Sequence, residues 1–417
     1  MRKARGLAFA LAAASALVWA AACATNTNTT QNGAGNTNGA GNTNGTTGTG
    51  GTTSSYQRKT KKQGEKVYIG FSMDTLKEER WQRDKALVEA KAAELGAQLD
   101  VQVANGDDAV QTKQCDNMLT KGVDVLIVAP HNGEIAASIV EKAHAQGVPV
   151  ISYDRLIKNS DVDLYVSHQV EKMGEMQGDY ALKHAPKGNY VLIGGAPTDN
   201  NALLLRKGQM NVLKPAVDSG AIKVISDQFA KEWKAEEAQR ITEDSLTKTN
   251  KDLQAIVASN DGTAGGAVSA LEAASVPAGK VIVTGQDAQL DAVQRIAEGR
   301  QTMTIYKPIK PLADSAVDSA IKLAYGQPLD AKDKVNNDKI DVPSILQEPQ
   351  AVDKDNLDAT IIKDGYHPCE KVYEKVPGHK CPAATANTEG GRQKVVGSSA
   401  LAALGLLLSA FVFVRLR

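Results

Sequence analysis

Short apolar runs recur through most of this chain, each followed by a helix-length amphipathic segment, and this alternation restricts the fold more than any other feature. The runs lie at 67–72, 99–103, 123–129, 148–153, 190–194, 222–226, 253–259 and 281–285. They are rich in β-branched residues without strict polar alternation, the pattern of strands buried on both faces. Between them, apolar residues recur at spacings of three and four, as in Trp81, Ala86, Leu87, Ala90, Ala93 and Leu95, or Ala136, Ile139, Val140 and Ala143. Gly96, Gly122 and Gly147 close three of these segments, as helix C-termini require. Regular βα alternation implies parallel sheets with right-handed crossovers. It runs from about residue 65 to 367, too far for one sheet, so the expected fold is α/β with two doubly wound, Rossmann-like domains.

Ligands of such sheets bind beyond the carboxyl ends of the strands. There the sequence places Met73-Asp74, Pro130-His131-Asn132, Asp154-Arg155, residues 197–201, Asn260-Asp261 and Gln286-Asp287. No glycine-rich dinucleotide turn follows the first strand, and Gly262-Thr263-Ala264-Gly265-Gly266 lacks the dinucleotide spacing. Neither a P-loop nor a nucleophile elbow occurs, and the six histidines form no catalytic pattern, so no enzyme and no cofactor are expected. Lys+Arg and Asp+Glu both total 48, which gives no basic excess for a nucleic-acid partner. A neutral polyhydroxyl ring suits the inventory better. Its C–H faces need aromatic surfaces such as Trp81 and Trp233, and its hydroxyls need bidentate amides, carboxylates and guanidinium groups.

Several segments then carry a specific likeness. Leu76-Lys77-Glu78-Glu79-Arg80-Trp81-Gln82, Ser152-Tyr153-Asp154-Arg155, residues 194–202, residues 257–266, Thr284-Gly285-Gln286-Asp287-Ala288 and residues 301–308 occur in order. In this the chain resembles the bacterial D-xylose-binding periplasmic proteins over residues 65–367. The resemblance implies a type I periplasmic binding protein, with a three-segment hinge between lobes at 65–168 plus 308–345 and 172–305 plus 346–367. It implies that Arg80, Asp154, Arg155, Asn201, Asn260, Asp287 and Lys307 hydrogen-bond a pentose while Trp81 and Trp233 sandwich its ring.

Each residue also has a plainer reading. Asp154 and Arg155 suit a structural ion pair with each other, and Asn260 suits a helix cap. Trp81 suits the first core position of its helix, and Lys307 an exposed lysine before Pro308. Trp233, flanked by Lys231, Glu232 and Lys234, fits a core poorly. Ser167-His168-Gln169 departs from the acidic and amide residues expected at the first crossing, which puts hinge contacts rather than ring contacts in question.

The two ends read as addresses. Residues 1–23 combine Arg2, Lys3 and Arg5 with an apolar run that stops at Cys23, a secretory signal ending in a lipobox-like Ala20-Ala21-Ala22-Cys23 with Cys23 as the lipidated residue. Ordinary cleavage nearby is the plainer alternative. Residues 24–64, mostly Thr, Asn, Gly and Ser at first, read as a disordered tether. Uncharged residues 395–414 are long enough, at roughly 30 Å as a helix, to span a bilayer. In between, residues 368–394 read as a linker. His367, Cys369, His379 and Cys381 form a repeated H-x-C: a weak zinc alternative, against the Cys369–Cys381 disulfide favoured in an exported chain. Cys115 reads as a buried free thiol.

The functional expectation is an exported, membrane-anchored, monomeric substrate-binding subunit for D-xylose or a related monosaccharide, serving the permease subunits of an ABC-type importer. The alternative is a membrane-anchored sugar-sensing receptor that needs a signalling partner.

Overall fold

The computed structural model describes residues 56–381. Cys23 and the expected span at 395–414 lie outside them. Among the described residues no helix is long and apolar enough to cross a membrane.

The first lobe is built on β1 (Tyr68–Met73), β2 (Gln98–Val103), β3 (Val125–Val128), β4 (Val150–Tyr153) and β5 (Leu164–His168). With β11 (Asp333–Asn336) and β12 (Asp341–Gln347) they make a seven-stranded sheet, order β11-β12-β5-β4-β3-β1-β2, in which β11 alone runs antiparallel. Helices α1 (Glu79–Glu94) and α9 (Ile309–Ala324) pack Trp81, Val88, Leu312 and Val317 onto one face with Phe71, Ile127 and Ile151. Helices α2 (Asp108–Thr120) and α3 (Ala137–Ala145) cover the other face through Met118, Ile139 and Val140. Gly70 is where α2 presses closest: a Cβ there would stand 2.7 Å from Met118 Sδ and 2.8 Å from Leu126.

The second lobe follows the same logic. β6 (Gly188–Gly194), β7 (Ile222–Phe229), β8 (Ala255–Ala258) and β9 (Ile282–Val283) form a parallel sheet of order β7-β6-β8-β9. An antiparallel pair, β10 (Met303–Tyr306) and β13 (Gln350–Asp353), joins its edge through hydrogen bonds from Thr302 and Ile305 to the Val283 and Gly285 carbonyls. Helices α4 (Val170–His184) and α5 (Asn200–Asp218) cover one face; α6 (Ala235–Lys248) and α7 (Asp261–Ala273) cover the other. α8 (Leu290–Ala297) leads from β9 to β10.

The chain passes between lobes three times, at 168–170, 306–309 and 347–350. His168 Nε2 donates to the Pro308 carbonyl at 3.2 Å, Gln169 N to the Gln347 carbonyl at 3.1 Å, and Gln169 Nε2 to Glu348 Oε1 at 2.7 Å. The segments are thus tied into one hinge. Two of the residues that depart from the expected pattern, His168 and Gln169, therefore make hinge contacts of their own. The third crossing falls two residues later than expected, because β12 stays paired with β5 as far as Gln347 and His168.

Both flanks of the lobes differ from expectation. Residues 56–64, assigned to the tether, lie on the first lobe: Tyr56 stacks on His144 at 3.7 Å, Arg58 pairs with Asp163 at 2.8 Å, and Lys59 N bonds the Gly147 carbonyl. Residues 368–381, assigned to a linker, pack on the second lobe. Helix α10 (Cys369–Val372) buries Cys369 and Val372 against α8, and Cys369 is disulfide-bonded to Cys381. In each case an aromatic or a covalent clip supplies what a polar composition concealed. Cys115 is a buried free thiol.

Candidate functional site

Polar side chains from both lobes, several of them just beyond strand ends, line one cavity between the lobes. From the first lobe come Glu78, Arg80 and Trp81 at the start of α1, and Asp154 and Arg155 after β4. The second lobe contributes Asp199 and Asn201 after β6, Trp233 after β7, Asn260 after β8, and Gln286 and Asp287 after β9; Lys307 comes from the second crossing. All nine residues singled out in the sequence are therefore brought together.

Three of these residues occupy left-handed backbone: Asp154 at φ 60°, Trp233 at φ 56° and Asp287 at φ 101°. Such conformations cost on the order of 1–3 kcal/mol for a non-glycine residue and persist only where surroundings hold them. For Asp154 the hold is dense. Its N–H bonds the Val166 carbonyl at 2.8 Å, and its own carbonyl accepts from Tyr165 Oη, Ser167 Oγ and Asn201 Nδ2. Trp233 needs a glycine beneath it, since a Cβ at Gly195 would fall 2.1 Å from the indole ring.

The charges form a buried lattice. Arg80 donates to both Asp84 oxygens at 2.9 and 3.0 Å and to Asp154 Oδ2, while Asp84 also accepts from Tyr153 Oη. Arg155 reaches Asp74 at 2.6 Å and, across the cleft, Asp199 at 2.9 Å. Lys307 lies 2.8 Å from Asp287 Oδ1 and 3.9 Å from Asp154 Oδ2. Burial pushes the Asp154 carboxyl up, but Arg80, Lys307 and His168 outweigh it and hold the group below the usual carboxylate range. At Asp84 and Asp199 burial wins over the arginines and raises both carboxyls, which eases the excess of acid over base. Asp74 bonds His131 Nδ1 at 2.9 Å; this bond raises the imidazole pKa.

The plainer readings now separate. Asp154 and Arg155 do not pair with each other: Asp154 pairs with Arg80, and Arg155 with Asp74 and Asp199. Lys307 is 4% exposed rather than a surface lysine. Asn260 does cap α7, its Oδ1 accepting from Thr263 N at 2.9 Å, and it also lines the cavity. Trp81 belongs to the first-lobe core and to the cavity wall at once, with the Arg80 guanidinium 4.3 Å from its ring centroid. Trp233 likewise joins a buried cluster with Val170, Met173 and Leu205 despite its charged neighbours, and its Nε1 donates to Asp199 at 3.2 Å.

Two side chains of the lining carry acceptors that are buried and have no hydrogen-bond partner among the described residues, Gln286 Oε1 and Glu78 Oε2, whereas Asp287 Oδ1 is held by the Lys307 ammonium. An unpaired buried acceptor costs about 1–3 kcal/mol. Hydroxyl donors of a ligand would recover that cost. Glu78, Asp199 and Gln286 were not among the nine chosen residues, although Asp199 and Gln286 stand in the post-strand set and all three lie one or two positions from a chosen residue within the segments that carry the resemblance.

A sequence profile of the periplasmic binding protein domain matches residues 69–328. The chain belongs to the periplasmic binding protein family. It is 49% identical over 305 residues to the D-xylose-binding periplasmic protein of Haemophilus influenzae, covering 73% of this chain and 92% of that one. To the D-xylose-binding periplasmic protein of Escherichia coli it is 48% identical over 301 residues, covering 72% and 91%. Among solved structures, a carbohydrate transporter solute-binding protein from Chloroflexus aurantiacus in complex with D-glucose superposes with a TM-score of 0.70 at 32% identity, covering 74% of this chain and 98% of that one. The type I periplasmic binding protein fold and its parallel sheets agree with this membership, and the relatives it matches are periplasmic solute-binding proteins rather than enzymes.

The zinc alternative does not fit this binding protein. Cys369 and Cys381 are spent in the disulfide, so no thiolate is offered. His367 is turned away, its Nε2 bonded to the Ala288 carbonyl at 2.7 Å. His379 lies close to the two sulfurs, but one imidazole does not hold a metal.

Proposed function

We propose that the protein captures D-xylose, or a closely related monosaccharide, in the interlobe cavity and presents it to the permease of an ABC-type importer. The observation that carries the reading is the convergence of all nine chosen residues on one small cavity whose charges are already paired within the protein. A neutral ligand neutralises nothing, so such pairing is what it demands. Asn201, Asn260, Gln286 and Asp287 offer hydroxyl partners from one lobe, Arg80, Asp154 and Arg155 from the other, and Lys307 from the hinge. Trp81 and Trp233 give the ring its apolar walls. Both D-xylose-binding relatives and the glucose-bound neighbour support a monosaccharide.

Attachment belongs to the same proposal. Lipid on Cys23 and a helix over 395–414 would hold the binding protein at the outer face of the membrane. Sodium carbonate extraction of cells making the full chain, or its Cys23→Ser form, tests this: release of the intact chain into the soluble fraction would overturn the helix.

Titration calorimetry of the full chain with D-xylose, D-ribose, L-arabinose, D-galactose and D-glucose tests the main reading. Tightest binding to D-xylose is expected. Absence of heat with all five sugars would overturn the reading, and tighter binding of a hexose would move the specificity.

A further inference from the structure

The turn that aims the Asp287 carboxylate into the cavity is strained at two consecutive residues, with Asp287 at φ 101° and Ala288 at φ 49°. Neither is glycine, so the conformation must be imposed from outside. One side is secured by β10: Asp287 N bonds the Ile305 carbonyl at 2.9 Å and Ala288 N bonds Thr304 Oγ1 at 3.2 Å. The other side is secured from far along the chain. Tyr366 Oη donates to the Asp287 carbonyl at 3.3 Å, and His367 Nε2 donates to the Ala288 carbonyl at 2.7 Å.

These two residues also meet the opposite lobe. With its proton on Nε2, His367 turns a lone pair on Nδ1 toward Arg83 Nη2, 3.1 Å away on α1. Arg83 Nη1 donates to the Tyr366 carbonyl at 2.5 Å, and its guanidinium stands 4.2 Å over the Tyr366 ring. Glu79 accepts from Arg83 at 2.7 Å and from Leu290 N, at the start of α8, at 3.0 Å. The neutral tautomer is consistent with the burial of His367, which lowers its pKa. Immediately afterwards comes the clip: Cys369 begins α10, Gln294 of α8 donates to the Lys371 carbonyl at 2.8 Å, and the disulfide closes on Cys381.

We propose that Tyr366 and His367 are positioning residues for ligand binding: they hold the Asp287–Ala288 turn in shape and, through Arg83, latch the closed lobes. The clipped segment after them fixes where they stand. Hydrogen bonds to Arg83 exist only when α1 meets the second lobe, so they favour the closed form and slow release. The proposal rests on the reading of the cavity as a sugar site.

Rapid-mixing kinetics and calorimetry with D-xylose on the full chain test it. Arg83→Ala is expected to speed sugar release about tenfold, the cost of one to two hydrogen bonds, with association within about twofold. His367→Ala is expected to weaken affinity by about tenfold, and His367→Gln, which keeps a donor at similar reach, to restore most of it. An unchanged release rate in Arg83→Ala overturns the latch. Equal affinities of the Ala and Gln forms of His367 overturn the positioning role; should the Ala form not fold, Gln-form affinity as weak as that of Arg83→Ala does the same. If the unaltered chain binds no sugar, the proposed function fails instead, a result distinct from variants that bind as well as it does.

Discussion

The two lobes bring different chemistry to the same cavity. The first lobe supplies charge, paired chiefly within itself: Arg80 with Asp84 and Asp154, Arg155 with Asp74. The second supplies amides and an indole, keeps an acceptor unpaired at Gln286, and aims Asp287, paired with Lys307 of the hinge, from a strained turn held by a disulfide-clipped segment. One half is a prebuilt anchor whose energy is spent on the fold. The other leaves polar capacity for a ligand to complete, so its residues should matter to affinity more than to stability.

Substitution at the first-lobe lattice should show the largest effect. Asp154→Asn removes the carboxylate that faces buried Arg80 and Lys307, and breaking a buried pair from one side costs about 3–5 kcal/mol. Denaturant titration without ligand should record that loss, with calorimetry showing no binding. A stable, sugar-binding Asp154→Asn protein would break the contrast between the halves.

The covalent clip comes next. Cys369→Ser with Cys381→Ser opens a loop of sequence separation 12, for which chain entropy predicts about 3 kcal/mol less stability. Thermal unfolding should show the second lobe melting earlier while the first, which holds no disulfide among the described residues, keeps its transition.

Gln286→Ala should behave oppositely to the lattice variant. Its Oε1 has no partner to lose, so stability should stay within about 0.5 kcal/mol while D-xylose affinity falls about tenfold, one hydrogen bond's worth. A loss of stability equal to the loss of affinity would show that the second half is as prebuilt as the first.

The smallest effect tests the hinge between them. Burial, with Lys307 next, pushes the His168 imidazole down to about 3 in the folded chain, against about 6.5 when unfolded. The unfolded chain therefore takes up the proton first, so stability is held above pH 6.5 and lost as pH falls toward 3. Between pH 6.5 and 5.5 the loss should be about 1 kcal/mol. His168→Gln, followed by denaturation across that range, should flatten the profile; an equally steep profile would remove His168 as its source.

Much of this molecule is legible in one dimension. The eight apolar runs became strands within a few residues, since buried parallel strands write their burial into continuous β-branched sequence. The nine cavity residues were readable because loops after parallel strands must converge at one edge, and because the ordered segments matched a family. β11 and β12 were not seen. β11 reads Asp-Lys-Val-Asn and β12 contains Pro343, and neither has a pattern of its own; β12 becomes a strand by pairing with β5, far away in sequence, and β11 by pairing in turn with β12.

The sequence by itself determined the fold class, because hydrophobic periodicity is a local property, and it named the side chains of the cleft through the ordered segments that carry the family resemblance. Tertiary structure alone decided how those side chains pair: that Asp154 and Arg155 each turn to other residues, that Asn260 caps a helix while lining the cavity, and that Trp233 is buried despite charged neighbours. It also decided that residues 56–64 and 368–381 belong to the lobes rather than to a tether and a linker. The physical reason is common to all of these. A buried charge or a strained turn is stable only through groups that the fold, not the neighbouring sequence, brings within a few ångströms.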